Sequence, residues 1–215
     1  MTDNNLHMMQ YRQQHKKRLS YMPWLYLSLK PEHKEWAEEW QMNIQNHLRK
    51  METVEIGKGC FIAPEAQLFA EPGRPIVLGD FSYIAADCVI HGPIEIGKNV
   101  SINHHVTLDG GRKGIRIGNY SRVAAYTSAY AFNHGMEADK LIQEQAVTSL
   151  GIDIGEDVWI GANVGIVDGV TIGDKSIIGM GSVVTKSVIS GLKVAGNPAK
   201  EIGYRAASFR GDSYE

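Results

Sequence analysis

From Ile56 to Thr185 the chain repeats a six-residue unit, an aliphatic residue followed most often by Gly or Ala, and no other feature restricts its fold as strongly. The cleanest run is Ile154-Gly155, Ile160-Gly161, Ile166-Val167, Ile172-Gly173, Ile178-Gly179 and Val184-Thr185, five consecutive steps of six. The same phase appears upstream at Ile56, Ile62 and Leu68, at Leu78, Ile84 and Ile90, at Ile96, Ile102 and Leu108, and at Ile117, Val123 and Ala129. Three hexads make 18 residues, and the triplets begin at 56, 78, 96, 117, 154 and 172. That spacing implies six coils of a solenoid with three insertions. The first lies near Ala70–Pro75, the second near Gly110–Lys113, and the long third follows His134 and runs to Asp153.

The physical content of the hexad is a short strand plus a corner. The leading aliphatic points inward and stacks on its counterparts in neighbouring coils, which sit ~4.8 Å apart, so the coils share one continuous core. The fifth position also points inward and must be small; Val100, Val106, Ser121, Thr127, Val158, Val164, Val170, Ser176 and Ser182 fill it. Cys60 and Cys88 fall at fifth positions, which makes them interior fillers rather than reactive thiols. Gly or Ala at the second position suits a crowded corner, and unusual backbone angles are expected there.

Residues 1–50 are of another kind: free of Gly, with three of the four tryptophans. After Pro31, Trp36, Trp40, Ile44, Leu48 and Met51 recur every three or four positions, one face of a helix, with Pro31 suited to its first turn. A weaker helical pattern precedes Pro23. The expected organisation is a helical segment over 1–53, a solenoid over 54–190 with its loop at 135–153, and a tail over 191–215. Lys and Arg number 22 against 24 Asp and Glu, which argues against a bulk electrostatic grip on nucleic acid. Two cysteines are too few for a disulfide framework, no stretch reaches the ~18 apolar residues of a membrane span, and the first residues carry no apolar signal region. The expectation is a cytoplasmic protein.

The hexad pattern resembles the hexapeptide-repeat acyltransferases, and the resemblance covers roughly residues 54–203. Ile154–Lys186 is similar to the C-terminal signature of that family, and Gly196-Asn197-Pro198-Ala199-Lys200 to its closing motif. The stretch from Leu108-Asp109-Gly110-Gly111 to Asn133-His134 resembles the sugar O-acetyltransferase branch, relatives of maltose and galactoside acetyltransferases. The resemblance implies a left-handed parallel β-helix, a homotrimer with sites between subunits, acetyl-CoA as donor, a small sugar or polysaccharide precursor as acceptor, and no metal.

A sugar hydroxyl must lose its proton as it attacks a thioester, and histidine has the intrinsic pKa for that task. Read from the residues alone, a single histidine such as His134 at a loop root is more often structural than catalytic. The resemblance of Ala129–His134 to the family's motif implies the general base. Asn103 stands where Gly or Ala is usual; it either tolerates left-handed angles at a corner or, by resemblance, holds the oxyanion of the tetrahedral intermediate near the acceptor. Asp109 either binds a sugar hydroxyl or holds its turn through an Asx bond. By the same resemblance Trp159, Gly161, Ala162, Gly179 and Met180 line the pantetheine arm, and Thr185, Lys186 and Lys200 approach the nucleotide. Met180 replaces the usual Ala or Ser, which puts that rung in question.

Other readings remain at this level. N-acetylation of an amino sugar, or acetylation of serine or an antibiotic, uses the same chemistry. A zinc carbonic anhydrase needs spaced histidines, and adjacent His104 and His105 are expected to diverge as in a strand. A non-catalytic solenoid scaffold would have no use for a base at His134.

Overall fold

The computed structural model describes residues 3–205, with side chains from residue 7 onward; residues 206–215 of the tail lie outside the described residues. It is a β-solenoid of six coils with three faces, each a parallel sheet running along the axis. The first face is built from Val54–Ile56, Ile76–Leu78, Ile94–Ile96, Ile115–Ile117, Ile152–Ile154 and Thr171–Ile172. The second carries Phe61–Ile62, Tyr83–Ile84, Ser101–Ile102, Arg122–Val123, Trp159–Ile160 and Ile177–Ile178, and the third Gln67–Phe69, Val89–His91, Thr107–Asp109, Ser128–Tyr130, Gly165–Ile166 and Val183–Val184. The pairing register aligns leading aliphatics coil on coil: Ile56 on Leu78, Ile84 on Ile102, Leu108 on Ala129. All three insertions fall where the spacing puts them, at corners that return the chain to the first face.

The leading and fifth positions form one buried core. Serine and threonine at fifth positions are buried with their hydroxyls satisfied along the stack. Ser121 Oγ donates to Gly155 O at 2.8 Å and accepts from Val158 N at 3.1 Å. Thr127 Oγ1 donates to Gly161 O at 2.9 Å. The backbone of the corners corrects one expectation. Left-handed angles occur at the fourth hexad position, at Phe81, Asp87, Asn99, His105, Tyr120, Tyr126, Asp157, Asn163 and Lys175, not at the second. Second-position glycines are required by contact instead: a Cβ on Gly79 would lie 2.6 Å from the Gly97 carbonyl carbon, closer than atoms can pack.

A solenoid leaves unpaired strands at both ends. At the first coil, α1 (Asp3–Tyr21), a 3-10 turn (Pro23–Ser28) and α2 (Pro31–Met51) cover the opening. Buried Gln41 stands in for a neighbouring strand: its Nε2 donates to Ile62 O at 3.0 Å and its Oε1 accepts from Ile62 N at 2.8 Å. Gln45 adds a bond to Cys60 O, and Ser20 O accepts from Ala86 N at 2.8 Å. Leu19, Tyr26, Trp36 and Trp40 close a second core on Phe61, Ala63, Tyr83 and Ala86. Met51, expected on the same helical face, is 68% exposed; α2 ends there, and Glu52 already has extended angles. At the other end Leu192–Ala195 adds a parallel strand to the second face, and Lys200–Tyr204 folds back on it antiparallel. Among the described residues no helix is long and apolar enough to cross a membrane.

Candidate active site

The edge between second and third faces stacks one residue of each coil over the next. Asn103 N donates to Val123 O at 3.0 Å, Ala124 N to Ile160 O at 2.9 Å, Gly161 N to Ile178 O at 2.8 Å and Gly179 N to Val194 O at 2.8 Å. Gly161 has no room for a side chain, because a Cβ would lie 2.6 Å from Met180 N. The half-buried Ala162 accepts from Gly181 N at 2.9 Å. Trp159 is 55% exposed on the adjoining second face, and Met180 is 75% exposed at the edge itself. Lys200 pairs with Ala195, one rung further along, and is exposed. Asn103 is half-buried, and its Nδ2 donates to Val123 O at 3.0 Å. Left-handed angles belong to His105, not to Asn103.

His134 lies at the opposite edge, where the third face returns to the first. It ends the strand Asn133–His134, which pairs antiparallel with Val147–Thr148 and so roots the long loop. Its ring is exposed and lies 6.2 Å, edge-on, from Phe132. Gln145 holds the loop closed: its Oε1 accepts from Glu137 N at 2.8 Å and its Nε2 donates to Glu137 O and Lys140 O. Thr185 and Lys186 follow the last third-face strand and are exposed at this edge too. Beneath the loop is a cavity of about 250 Å³ lined by Arg74, His91, Asp109, Arg112, Phe132 and Ser149, among others. Asp109 Oδ1 accepts from Gly111 N at 3.0 Å, the Asx bond of the turn, while Oδ2 meets His91 Nδ1 at 3.3 Å. His91 Nε2 meets Glu71 Oε1 at 3.1 Å, and Arg74 Nε donates to Gly92 O at 2.7 Å.

The structure therefore divides the residues singled out from sequence into two groups. Asn103, Trp159, Gly161, Ala162, Gly179, Met180 and Lys200 belong to one side of the third face; Asp109, His134, Thr185 and Lys186 belong to the other. Sequence reasoning missed Arg74, His91 and Arg112. Arg74 and Arg112 lie inside insertions, where the hexad carries no information; His91 was visible as the polar residue following Ile90.

Two further expectations can be judged. Cys60 and Cys88 are buried. Burial pushes the Cys60 thiol up and the Cys88 thiol up to about 12, so neither supplies a thiolate nucleophile. His104 and His105, by contrast, do not diverge. They occupy a turn rather than a strand, His105 takes a left-handed φ of 59°, and their Nδ1 atoms come within 2.9 Å. Among the described residues no group of three or more His, Cys, Asp and Glu side chains is placed to hold a metal ion.

A six-residue solenoid with glycine corners stacked along one edge defines the class of hexapeptide-repeat proteins. Two family models match this chain, "Hexapeptide repeat of succinyl-transferase" over residues 151–186 and "Bacterial transferase hexapeptide (six repeats)" over residues 75–110. Galactoside O-acetyltransferase of Escherichia coli is 36% identical over 109 residues, 51% of this chain and 53% of that protein. The match thus spans about half the length of this curated relative. A variant of AntD, an N-acyltransferase from Bacillus cereus in complex with dTDP-4-amino-4,6-dideoxyglucose and coenzyme A, superposes with a TM-score of 0.68 at 27% identity, covering 76% of this chain and 90% of that one. A maltose O-acetyltransferase from Clostridium difficile 630 shares the fold over 96% of this chain and 90% of that one, with a TM-score of 0.53 at 22% identity. The chain carries hexapeptide repeats over residues 75–110 and 151–186 and is similar to acyltransferases built on them.

Proposed function

We propose that the protein transfers an acetyl group from acetyl-CoA to a hydroxyl of a sugar or polysaccharide precursor, by direct attack within a homotrimer. The observation that carries this reading is the division of the site between two edges of the prism. A donor lying along the Asn103–Gly161–Gly179 edge of one subunit meets a base only if another subunit presents its His134 edge. A head-to-tail ring of three does this at each interface, and such an interface closes by rotation. The backbone corner, narrowed to glycine, admits a slender pantetheine chain. Trp159 and Met180 flank it, and Lys200 of one subunit and Lys186 of the next reach the nucleotide end.

In this mechanism His134 takes the hydroxyl proton as the oxygen attacks the thioester carbonyl. Asn103, released from Val123 O, turns its amide to the oxyanion. The intermediate collapses, and the thiolate of coenzyme A leaves and recovers the proton. Asp109, with His91 and Arg74, presents hydrogen-bonding groups to the acceptor from the cavity beside His134. An acceptor panel with acetyl-CoA, read as free thiol release, tests the reading; no release above donor hydrolysis with any sugar would reject it. Transfer to an amine is the second reading, supported by the likeness to AntD, whose complex contains an amino sugar nucleotide.

A further inference from the structure

On the Asn103 edge a second set of proton-bearing groups stands unused by that mechanism. The Nδ1 atoms of His104 and His105 are 2.9 Å apart. Two imidazole nitrogens at that distance share one proton, one donating and the other accepting. His105 Nε2 lies 3.6 Å from Asp87 Oδ2, and the Tyr21 hydroxyl donates to the same carboxylate oxygen at 2.7 Å. At 3.6 Å the carboxylate is beyond direct hydrogen-bond reach of that nitrogen, but its charge favours the His105 tautomer protonated at Nε2. His105 Nδ1 is then the acceptor, His104 Nδ1–H the donor, and His104 Nε2 keeps a free lone pair. Tyr126 fixes both rings, stacking on His105 at 4.7 Å and meeting His104 edge-on at 5.5 Å. Burial, and then the neighbouring His105, hold His104 below the ordinary imidazole range, with Asp87 opposing. The titratable groups facing the pair are Tyr21 from α1, Asp87 from the second coil and Tyr126 from the fourth, with Glu65 of the first coil acting on Tyr21.

We propose that Asp87, His105 and His104 form a relay ending in a second basic nitrogen, and that it serves acceptors arriving as ammonium ions. The inference rests on the acyl-transfer reading above. A hydroxyl gives up one proton per transfer, and His134 accounts for it. An amine entering as R–NH3+ must lose one proton before its nitrogen has a lone pair, and a second when the C–N bond forms and the C–S bond breaks. His104 Nε2 takes the first and releases it to solvent. His134 takes the second and returns it to the departing thiolate, so the products are the amide, coenzyme A and one free proton. His105 and Asp87 are positioning residues, acting through His104.

Two measurements on the full chain test the relay. Long-range 1H–15N spectra of the imidazoles should show His104 protonated at Nδ1 and titrating below 6.5; an Nε2-protonated His104, or a midpoint above 6.5, overturns the relay whatever the activity. Thiol release is then compared for a 2-amino-2-deoxyhexose and its parent hexose. At pH 7, His104→Asn and Asp87→Asn should lose at least tenfold more kcat/KM on the amine than on the hexose. The gap should close by pH 9, above the ~8 of such an amine, where the free base is abundant in solution. Equal losses on both acceptors, a gap that persists at pH 9, or a wild-type enzyme active on the hexose and inert to the amine would each overturn the proposal. Wild-type inertness toward every acceptor would instead reject acyl transfer, with the imidazole spectra still deciding the relay.

Discussion

His134 owes its availability to a strand of two residues: its hairpin lifts the ring off the core face and leaves it exposed. His134→Ala should therefore fold and assemble normally while kcat falls by roughly 10²–10⁴-fold, the usual worth of a positioned base; steady-state kinetics beside a thermal melt check both halves. Lys186 and Lys200 are exposed at different edges, and under the proposed mechanism both touch the donor's remote end. Lys186→Ala and Lys200→Ala should raise KM for acetyl-CoA with kcat nearly unchanged, because such contacts stabilise ground and transition states alike. Each costs on the order of 1 kcal/mol, being partly screened by solvent. An unchanged KM in both variants would remove the nucleotide from these edges. At this scale the sequence is legible only in part. Cys88 could be read as filler because its hexad position fixes its direction, whereas Asp109 could not be read as a partner of His91 and Arg74. That contact joins neighbouring coils and an insertion, and no period records it.

The elements were legible where repetition governs them. Coil starts, insertions and inward positions all follow from a period of six, since a one-residue slip would turn every aliphatic outward. The corners were less so. Period marks second positions as special without saying whether angle or space is the cause, and the cause is space. The helical cap was legible as helix but not as a cap, because Gln41 and Ser20 act through coils distant in sequence. Gln41→Leu should leave Ile62 N–H and C=O unpaired and lower stability by about 1–3 kcal/mol, read by urea unfolding with unchanged far-UV helicity at zero denaturant. The α1–α2 contact should be acid-sensitive. Burial first, then His33 and Arg18, lower the His15 pKa; its ring lies 4.9 Å from His33 and 5.7 Å from Trp36. A histidine depressed in the folded state binds more protons when unfolded, so this packing weakens as pH falls below about 6.5 and is unaffected above it. Tryptophan emission followed between pH 8 and 5 should show the transition, and His15→Phe should flatten it.

For the whole molecule, the division of the site predicts complementation. His134→Ala and Asn103→Ala chains, each inactive alone, should regain activity when co-assembled, because a mixed interface pairs an intact His134 edge with an intact Asn103 edge. Activity that never recovers in mixtures would place both residues in a site within one chain. Light scattering at micromolar concentration should return three times the 23.8 kDa chain mass. The two ends of the prism set a different kind of limit. Stacked strands with open ends are a template for indefinite growth, the geometry of a fibril. Here one end is closed by a glutamine that imitates a strand on one side only, and the other by a strand running the wrong way. The ends of the stack are thereby closed to further strands, and a chain lacking α2 should lengthen into filaments where the one that has it stops.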